Sequence, residues 1–168
     1  PRPRQLVLAG RLVAVAGVPR LQLLGPPGSG PLDAGVEAFA RAAASRFYRD
    51  LRAATGHGLA PVPRDGFALR IEVGSATWPG LGAGPPADAD ERLELVVDER
   101  GVRLACAGPW GVPPALALLR QLAVVGAGTL AFHVAAVRDR PRHPWRGLLL
   151  DPARRFLPLP DLLRVLDA

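Results

Sequence analysis

The chain has 168 residues, which is enough for one ordinary domain and too few for two of normal size. Hydrophobic residues make up 49% and charged residues 21%, a balance that is typical of folded proteins and excludes a charged disordered tail. The formal net charge is +6, but the 21 basic residues are all Arg and are spread along the chain. The charge therefore does not predict a nucleic-acid partner. No apolar run reaches the roughly 18 residues that a membrane span needs, so none is predicted.

The chain contains no Met, from which we expect it to be a piece of a longer protein. Its one cysteine, Cys106, cannot form an internal disulfide or build a zinc site alone, and its apolar surroundings predict a buried thiol. His57, His133 and His143 are scattered, and none has a Ser or Cys neighbour that would indicate a nucleophile. The sequence predicts no metal site and no cofactor.

Alternation of apolar and polar residues predicts six strands in the first 137 residues, over 6–16, 21–24, 67–73, 91–97, 101–107 and 129–137. Apolar residues at spacings of three and four predict two helices, over 32–55 and 112–125. Glycine and proline predict a turn at 17–19 and loops at 25–31 and 75–90. This order predicts an α+β fold, an antiparallel sheet with the two helices on one face.

A different pattern follows a charged, proline-containing linker at 138–144. Residues 147–150 are all apolar, which predicts a strand that is buried on both faces, and residues 159–168 predict a helix. Together they are predicted to form one βα unit of a parallel sheet, which cannot bury itself. We expect this unit to be the first of a truncated (β/α)8 barrel.

The residues from Arg142 to Leu159 read RHPWRGLLLDPARRFLPL. This stretch resembles the entry into the catalytic barrel of family 20 glycoside hydrolases, the β-N-acetylhexosaminidases, whose pattern is approximately [FH]-x-[WH]-R-G-[LM]-[LM]-L-D-x-[SA]-R-[HR]-[FY]-x-P. Upstream, residues 46–51 resemble the first helix of the animal lysosomal enzymes, and Trp110-Gly111 with residues 116–122 resemble the second. The resemblance is specific around residues 144–158 and diffuse before them.

The resemblance implies the N-terminal part of an enzyme that removes terminal N-acetylhexosamine, GlcNAc or GalNAc, from glycans by substrate-assisted retaining hydrolysis. It implies an N-terminal non-catalytic α/β domain over residues 1–140. Residues 141–168 would then be a linker and the first strand and helix of the catalytic barrel, whose remainder is the missing partner of this chain. The family also implies a lysosomal or secreted location and a full-length protein that can form a dimer.

For the site, the resemblance implies that Arg146 binds the hydroxyls of the terminal sugar, because a guanidinium can donate to two adjacent oxygens at once. From the residues alone, the alternative is that Arg146 pairs with a carboxylate at the domain junction. Asp151 is expected to be an orienting or structural carboxylate. It lies about 17 Å from Arg146 along an extended strand, so both cannot lie at the active rim.

The family's catalytic Asp-Glu pair lies on a later barrel strand, so no catalytic residue is expected in this chain, which should be inactive alone. The adjacent pairs Asp90-Glu91 and Asp98-Glu99 are predicted to be solvated turn residues. The sequence also departs from the family at Pro152 and at Ala153 and Arg155, where Ser and His are common. These departures leave an alternative open: a non-catalytic, degenerate or truncated hexosaminidase-like module that acts in packing or partner binding.

Overall fold

The chain up to Asp139 forms a mixed β-sheet with two helices packed against one of its faces. The structure, a computed structural model, describes residues 3–15, 19–26, 28–55, 67–74, 86, 88–126, 129–143, 145–154 and 156–167. The strands in this part are β1 Gln5–Val15, β2 Arg20–Leu24, β3 Ala68–Val73, β4 Leu93–Asp98, β5 Gly101–Cys106, β6 Ala123–Gly126 and β7 Thr129–Asp139. The helices are α1 Ala34–Thr55, α2 Val112–Gln121 and α3 Leu159–Asp167.

The strand order in the sheet is β1-β7-β4-β5-β3-β2, and β6 pairs with β7 beside this path. The prediction of an antiparallel sheet is wrong, because β3 runs parallel to both β2 and β5 while the other pairs are antiparallel. A parallel pair needs a crossover connection, and α1 lies between β2 and β3 in the chain and provides it. The α+β class is confirmed.

The core lies between the sheet and the two helices, and strand alternation explains it. In β3, Leu69, Ile71 and Val73 are buried, while the intervening Arg70 and Glu72 lie on the opposite face. The same alternation buries one face of β4 and β5. The helices cover this face with small and large apolar side chains, among them Ala40, Phe47, Leu51, Ala115 and Leu119.

Helix α1 begins two residues later than predicted, because Asp33 acts as its N-cap. One carboxylate oxygen of Asp33 accepts hydrogen bonds from the backbone N–H groups of Gly35 and Val36, at 2.9 and 3.1 Å. Two amides at the start of the helix, which have no intrahelical partner, are satisfied in this way. The rings of Phe39 and Trp110 then meet edge to face, with centroids 5.3 Å apart, and join α1 to the turn before α2.

The second predicted helix is too long. Helix α2 ends at Gln121, and residues 123–126 form β6, which pairs with β7 between Ala123↔Phe132 and Gly126↔Thr129. Consecutive valines at 124 and 125 favour a strand, and pairing with β7 stabilises it.

Beyond β7, the predicted strand over 147–150 is absent, because the segment has no partner strand among the described residues. Helix α3 forms as predicted, over Leu159–Asp167.

Most of the predicted 75–90 loop and most of the 17–19 turn fall outside the described residues. The hairpin of β4 and β5 has the predicted connection, in which Asp98 accepts hydrogen bonds from the backbone N–H groups of Arg100 and Gly101. Among the described residues, no helix is both long enough and apolar enough to cross a membrane.

Candidate functional site

Arg146 lies in the irregular segment after β7, where its guanidinium is held by two acceptors. Its Nη2 donates to Oε2 of Glu91 at 2.5 Å, and its Nη1 donates to the backbone carbonyl of His143 at 2.7 Å. About half of the Arg146 side chain, 49%, stays exposed. Within this chain, Arg146 therefore has the carboxylate partner that the residues alone left open as an alternative, and the guanidinium remains accessible from one side.

Glu91 is the partner that the sequence did not identify. It was predicted to be a solvated turn residue, and this is wrong: its side chain is only 8% exposed, and it is the one buried charged residue in the described part of the chain. Glu91 lies two residues before β4 and beside the turn that leads into α2. A buried carboxylate needs a partner that replaces its lost hydration, and Arg146 is that partner.

The neighbouring acidic residues are exposed and already engaged. Asp90 forms a two-pronged ion pair with Arg92, with distances of 2.6 to 2.9 Å, and this hydrogen bonding lowers the pKa of the Asp90 carboxyl. Glu99 forms an ion pair with Arg11 at 2.7 Å. As predicted, Asp90 and Glu99 are exposed surface residues, and the structure brings neither of them to Arg146.

Asp151 organises the turn that follows the 147–150 segment. It accepts hydrogen bonds from the backbone N–H groups of Ala153 and Arg154, at 3.1 and 3.4 Å, and forms an ion pair with the Arg154 side chain at 3.2 Å. Pro152 occupies the second position of this turn, where its fixed φ is favourable. Asp151 is therefore a turn-capping carboxylate in this chain, and Arg155 lies outside the described residues.

The remaining reactive side chains do not form a site. Cys106 is a free, buried thiol at the end of β5, and burial raises its pKa to about 12, so it is protonated at neutral pH and a poor nucleophile. Within the described ranges, no three His, Cys, Asp or Glu side chains lie close enough together to hold a metal ion. His57 lies outside these ranges.

The sequence of the chain is similar to those of several β-hexosaminidases. The chain is 40% identical over 83 residues to the β-hexosaminidase of Akkermansia muciniphila, and the match covers 49% of this chain and 17% of that protein. The mouse β-hexosaminidase subunit beta is 35% identical over 85 residues, with 50% and 16% coverage. The resemblance to the β-N-acetylhexosaminidases is confirmed. The match to these β-hexosaminidases spans about one sixth of their length, and no protein-family model matches the chain.

Solved β-N-acetylhexosaminidase structures show the same fold. The Flavobacterium johnsoniae chitobiase superposes with a TM-score of 0.72 at 24% identity, covering 98% of this chain and 24% of that one. The exo-β-N-acetylglucosaminidase of Vibrio harveyi gives a TM-score of 0.73 at 18% identity, with 99% and 22% coverage. At these identities the likeness establishes the fold of the chain, similar to the corresponding part of family 20 enzymes.

Proposed function

We propose that this chain is the N-terminal part of a β-N-acetylhexosaminidase that removes terminal GlcNAc or GalNAc from glycans. The observation that carries the proposal is the sequence identity of 35 to 40% to proteins named β-hexosaminidase over about half of the chain. The likeness of fold over nearly the whole chain supports it.

The proposal divides the chain into a non-catalytic domain over residues 1–140 and the entry into the barrel over 141–168. The distribution of buried residues supports this division, because the hydrophobic core extends from Val15 to Val137. After it, large apolar side chains are turned to solvent: Trp145, Leu149 and Phe156 are 82, 91 and 84% exposed. Further barrel strands and helices would cover these side chains, at a favourable free energy of about 25 cal/mol for each Å² of apolar surface.

In the proposed mechanism, the acetamido oxygen of the substrate attacks the anomeric carbon while the glycosidic oxygen leaves. A downstream Asp-Glu pair supplies the general acid and orients the acetamido group. Arg146 binds hydroxyls of the terminal sugar. Its guanidinium has five N–H donors, of which Glu91 and the carbonyl of His143 occupy two, so three remain for the sugar.

This chain alone is proposed to be inactive. Both adjacent Asp-Glu pairs within the described residues are engaged by other groups: Asp90 by Arg92, Glu91 by Arg146, Asp98 by backbone amides and Glu99 by Arg11. A general acid needs a carboxyl group that reaches the leaving oxygen of the substrate. Each of these four carboxylates already accepts a hydrogen bond within the chain, and we propose none of them as the general acid.

The test is to read and express the longer reading frame. We expect an H-x-H-x-x-D-D strand followed by an Asp-Glu pair. The longer protein should hydrolyse 4-nitrophenyl N-acetyl-β-glucosaminide, its Glu→Gln variant at that pair should lose this activity, and the 168-residue chain should show none. A stop codon after Ala168, or a longer protein without hydrolysis, would contradict the proposal.

The second candidate is a non-catalytic module that acts in packing or partner binding. The observation that favours it is the exposure of Leu148 and Leu149, 73 and 91%, because a protein partner would cover these side chains as well as a barrel does. This candidate predicts no hydrolysis by the longer protein, so the same assay separates the two.

A further inference from the structure

Arg146 and Glu91 form an asymmetric pair. The carboxylate is buried, 8% exposed, whereas the guanidinium is half-exposed and belongs to an irregular segment. The two residues are 55 positions apart in the chain, so the pair joins the N-terminal domain to the segment that follows it. Charged hydrogen bonds are stronger and more directional away from water, and a buried acceptor therefore fixes its donor better than an exposed one does.

The backbone around Glu91 cannot shift easily. The carbonyl of Arg92 accepts a hydrogen bond from the N–H of Ala107 at 2.9 Å, and the pairing of β4 with β5 starts at the next residue, Leu93. On the other side lies Gly111, at the start of α2. A Cβ atom there would lie 3.4 Å from the carbonyl oxygen of Arg92 and 3.6 Å from that of Glu91. Sheet and helix thus hold the carboxylate in place.

Arg146 lacks such support of its own. Its neighbours Trp145, Gly147 and Leu148 are exposed, and the segment has no regular structure. An arginine in this position would normally sample many rotamers and lose that freedom on binding a ligand. The contacts to Glu91 and to the His143 carbonyl restrict it beforehand and leave three N–H donors unoccupied by them.

We propose that Glu91 is a positioning residue: it holds the guanidinium of Arg146 so that the remaining N–H groups face the hydroxyls of the terminal N-acetylhexosamine. This inference rests on the proposed function and deepens it. It gives the non-catalytic domain a part in substrate binding, because one of its buried side chains orients a sugar-binding residue of the catalytic part.

The test uses Glu91→Gln in the longer protein, with Glu94→Gln as a matched control. Glu94 lies on β4, three residues after Glu91, and forms an exposed ion pair with Arg138 at 3.0 Å. We expect Glu91→Gln to raise KM for an aryl N-acetylglucosaminide about tenfold with a smaller change in kcat, because a positioning contact acts mainly on binding. Glu94→Gln should leave both constants unchanged.

A double variant separates positioning from a general effect on folding. If Glu91 acts through Arg146, Glu91→Gln should lower kcat/KM little further in an Arg146→Lys background. Should Glu91→Gln fail to fold, Glu91→Asp serves the same test, because it keeps the buried charge and withdraws the carboxylate by one methylene. We expect it too to raise KM.

Any one of three results would overturn the inference, and each would show that a different step of the argument is wrong. If Glu91→Gln lowers the melting temperature but leaves KM of the folded enzyme unchanged, Glu91 only connects the segments, and the proposed function stands. If Arg146→Lys also leaves the kinetics unchanged, Arg146 does not bind the sugar. If the longer protein does not hydrolyse the substrate at all, the proposed function falls and the inference falls with it.

Discussion

Arg146 combines a restricted position with free hydrogen-bond donors. Two of its N–H groups are engaged by Glu91 and by the carbonyl of His143, and half of the side chain faces solvent. Burial strengthens the attraction within an ion pair, but each charge that is buried also costs desolvation free energy. Here only the carboxylate is buried, which suits an arginine that also contacts a ligand.

In the longer enzyme, Arg146→Lys keeps the charge but loses the planar fork, so one of two hydrogen bonds to sugar hydroxyls should be lost. Hydrogen bonds to charged groups contribute about 1.5–3 kcal/mol each, so kcat/KM should fall by about one to two orders of magnitude. Lysine can still pair with Glu91, so the melting temperature should change little. A sharp fall in melting temperature, with wild-type kinetics for each folded molecule, would show that Arg146 is only a structural residue.

Because of Cys106, the free energy of unfolding should decrease at alkaline pH. Burial raises the pKa of this thiol to about 12, whereas in an unfolded chain it is near 8.5. The folded state therefore holds its proton more tightly, and this stabilisation is complete below about pH 8.5 and is lost as the pH rises toward 12. Over that range the free energy of unfolding should fall by about 1.4 kcal/mol per pH unit.

Urea unfolding at pH 7, 9 and 10.5 measures this slope, with Cys106→Ala as the control. The Tyr48 phenol is partly buried, which raises its pKa, so some loss of stability above pH 10 should persist in the variant. The difference between the two proteins isolates the thiol. Identical pH profiles for both would contradict the prediction.

Of the two residues that form the ion pair, only one could be identified from the sequence. Arg146 could be singled out because it stands inside a local motif, RGLLLD, that resembles a family pattern. Glu91 could not, because an ion pair between residues 55 positions apart leaves no periodic signal. Its burial depends on how the residues before β4 pack beside the turn into α2, which is a tertiary property.

Most strands and helices could be predicted from the spacing of apolar residues, because this spacing depends on which side chains face the core. The spacing is the same for parallel and antiparallel strands, so the parallel pairing of β3 with β2 and β5 was missed. Strand β6 was missed because residues 115–125, apolar apart from Arg120 and Gln121, suit a helix as well as a buried strand. Only pairing with β7 distinguishes them.

The turn between β4 and β5 depends on Gly101. Its φ is +148°, and a Cβ atom there would lie 2.4 Å from the carbonyl oxygen of Ala68 on the paired strand β3. Gly101→Ala should therefore lower the free energy of unfolding by about 2–4 kcal/mol, from backbone strain and overpacking together. Gly30→Ala is the control, because no atom lies within 4 Å of its added Cβ. Equal stability of the two variants in urea would show that β3 yields at this contact.

The described residues comprise a sheet with a buried core and a C-terminal segment with exposed apolar side chains. One face of the sheet is buried under α1 and α2, and the other carries cross-strand polar pairs such as Arg103 with Glu72 and Arg138 with Glu94. After residue 144 the apolar side chains have no such cover. The large apolar side chains after residue 144 thus contribute nothing to the buried core, which extends from Val15 to Val137.

This division predicts a length-dependent association. Residues 1–140 should be monodisperse in size-exclusion chromatography, whereas residues 1–168 should self-associate, because Leu149, Phe156 and their apolar neighbours are exposed.

Truncation at 140 also removes Arg146 and leaves Glu91 buried without its partner, so residues 1–147 provide the control that keeps this pair. We expect 1–147 to be monodisperse and to melt at a higher temperature than 1–140, since an unpaired buried carboxylate destabilises a fold. Replacing Leu149 and Phe156 by Ser in the 168-residue chain should restore a single peak. Equal monodispersity of 1–140 and 1–168 would mean that the C-terminal segment needs no covering barrel.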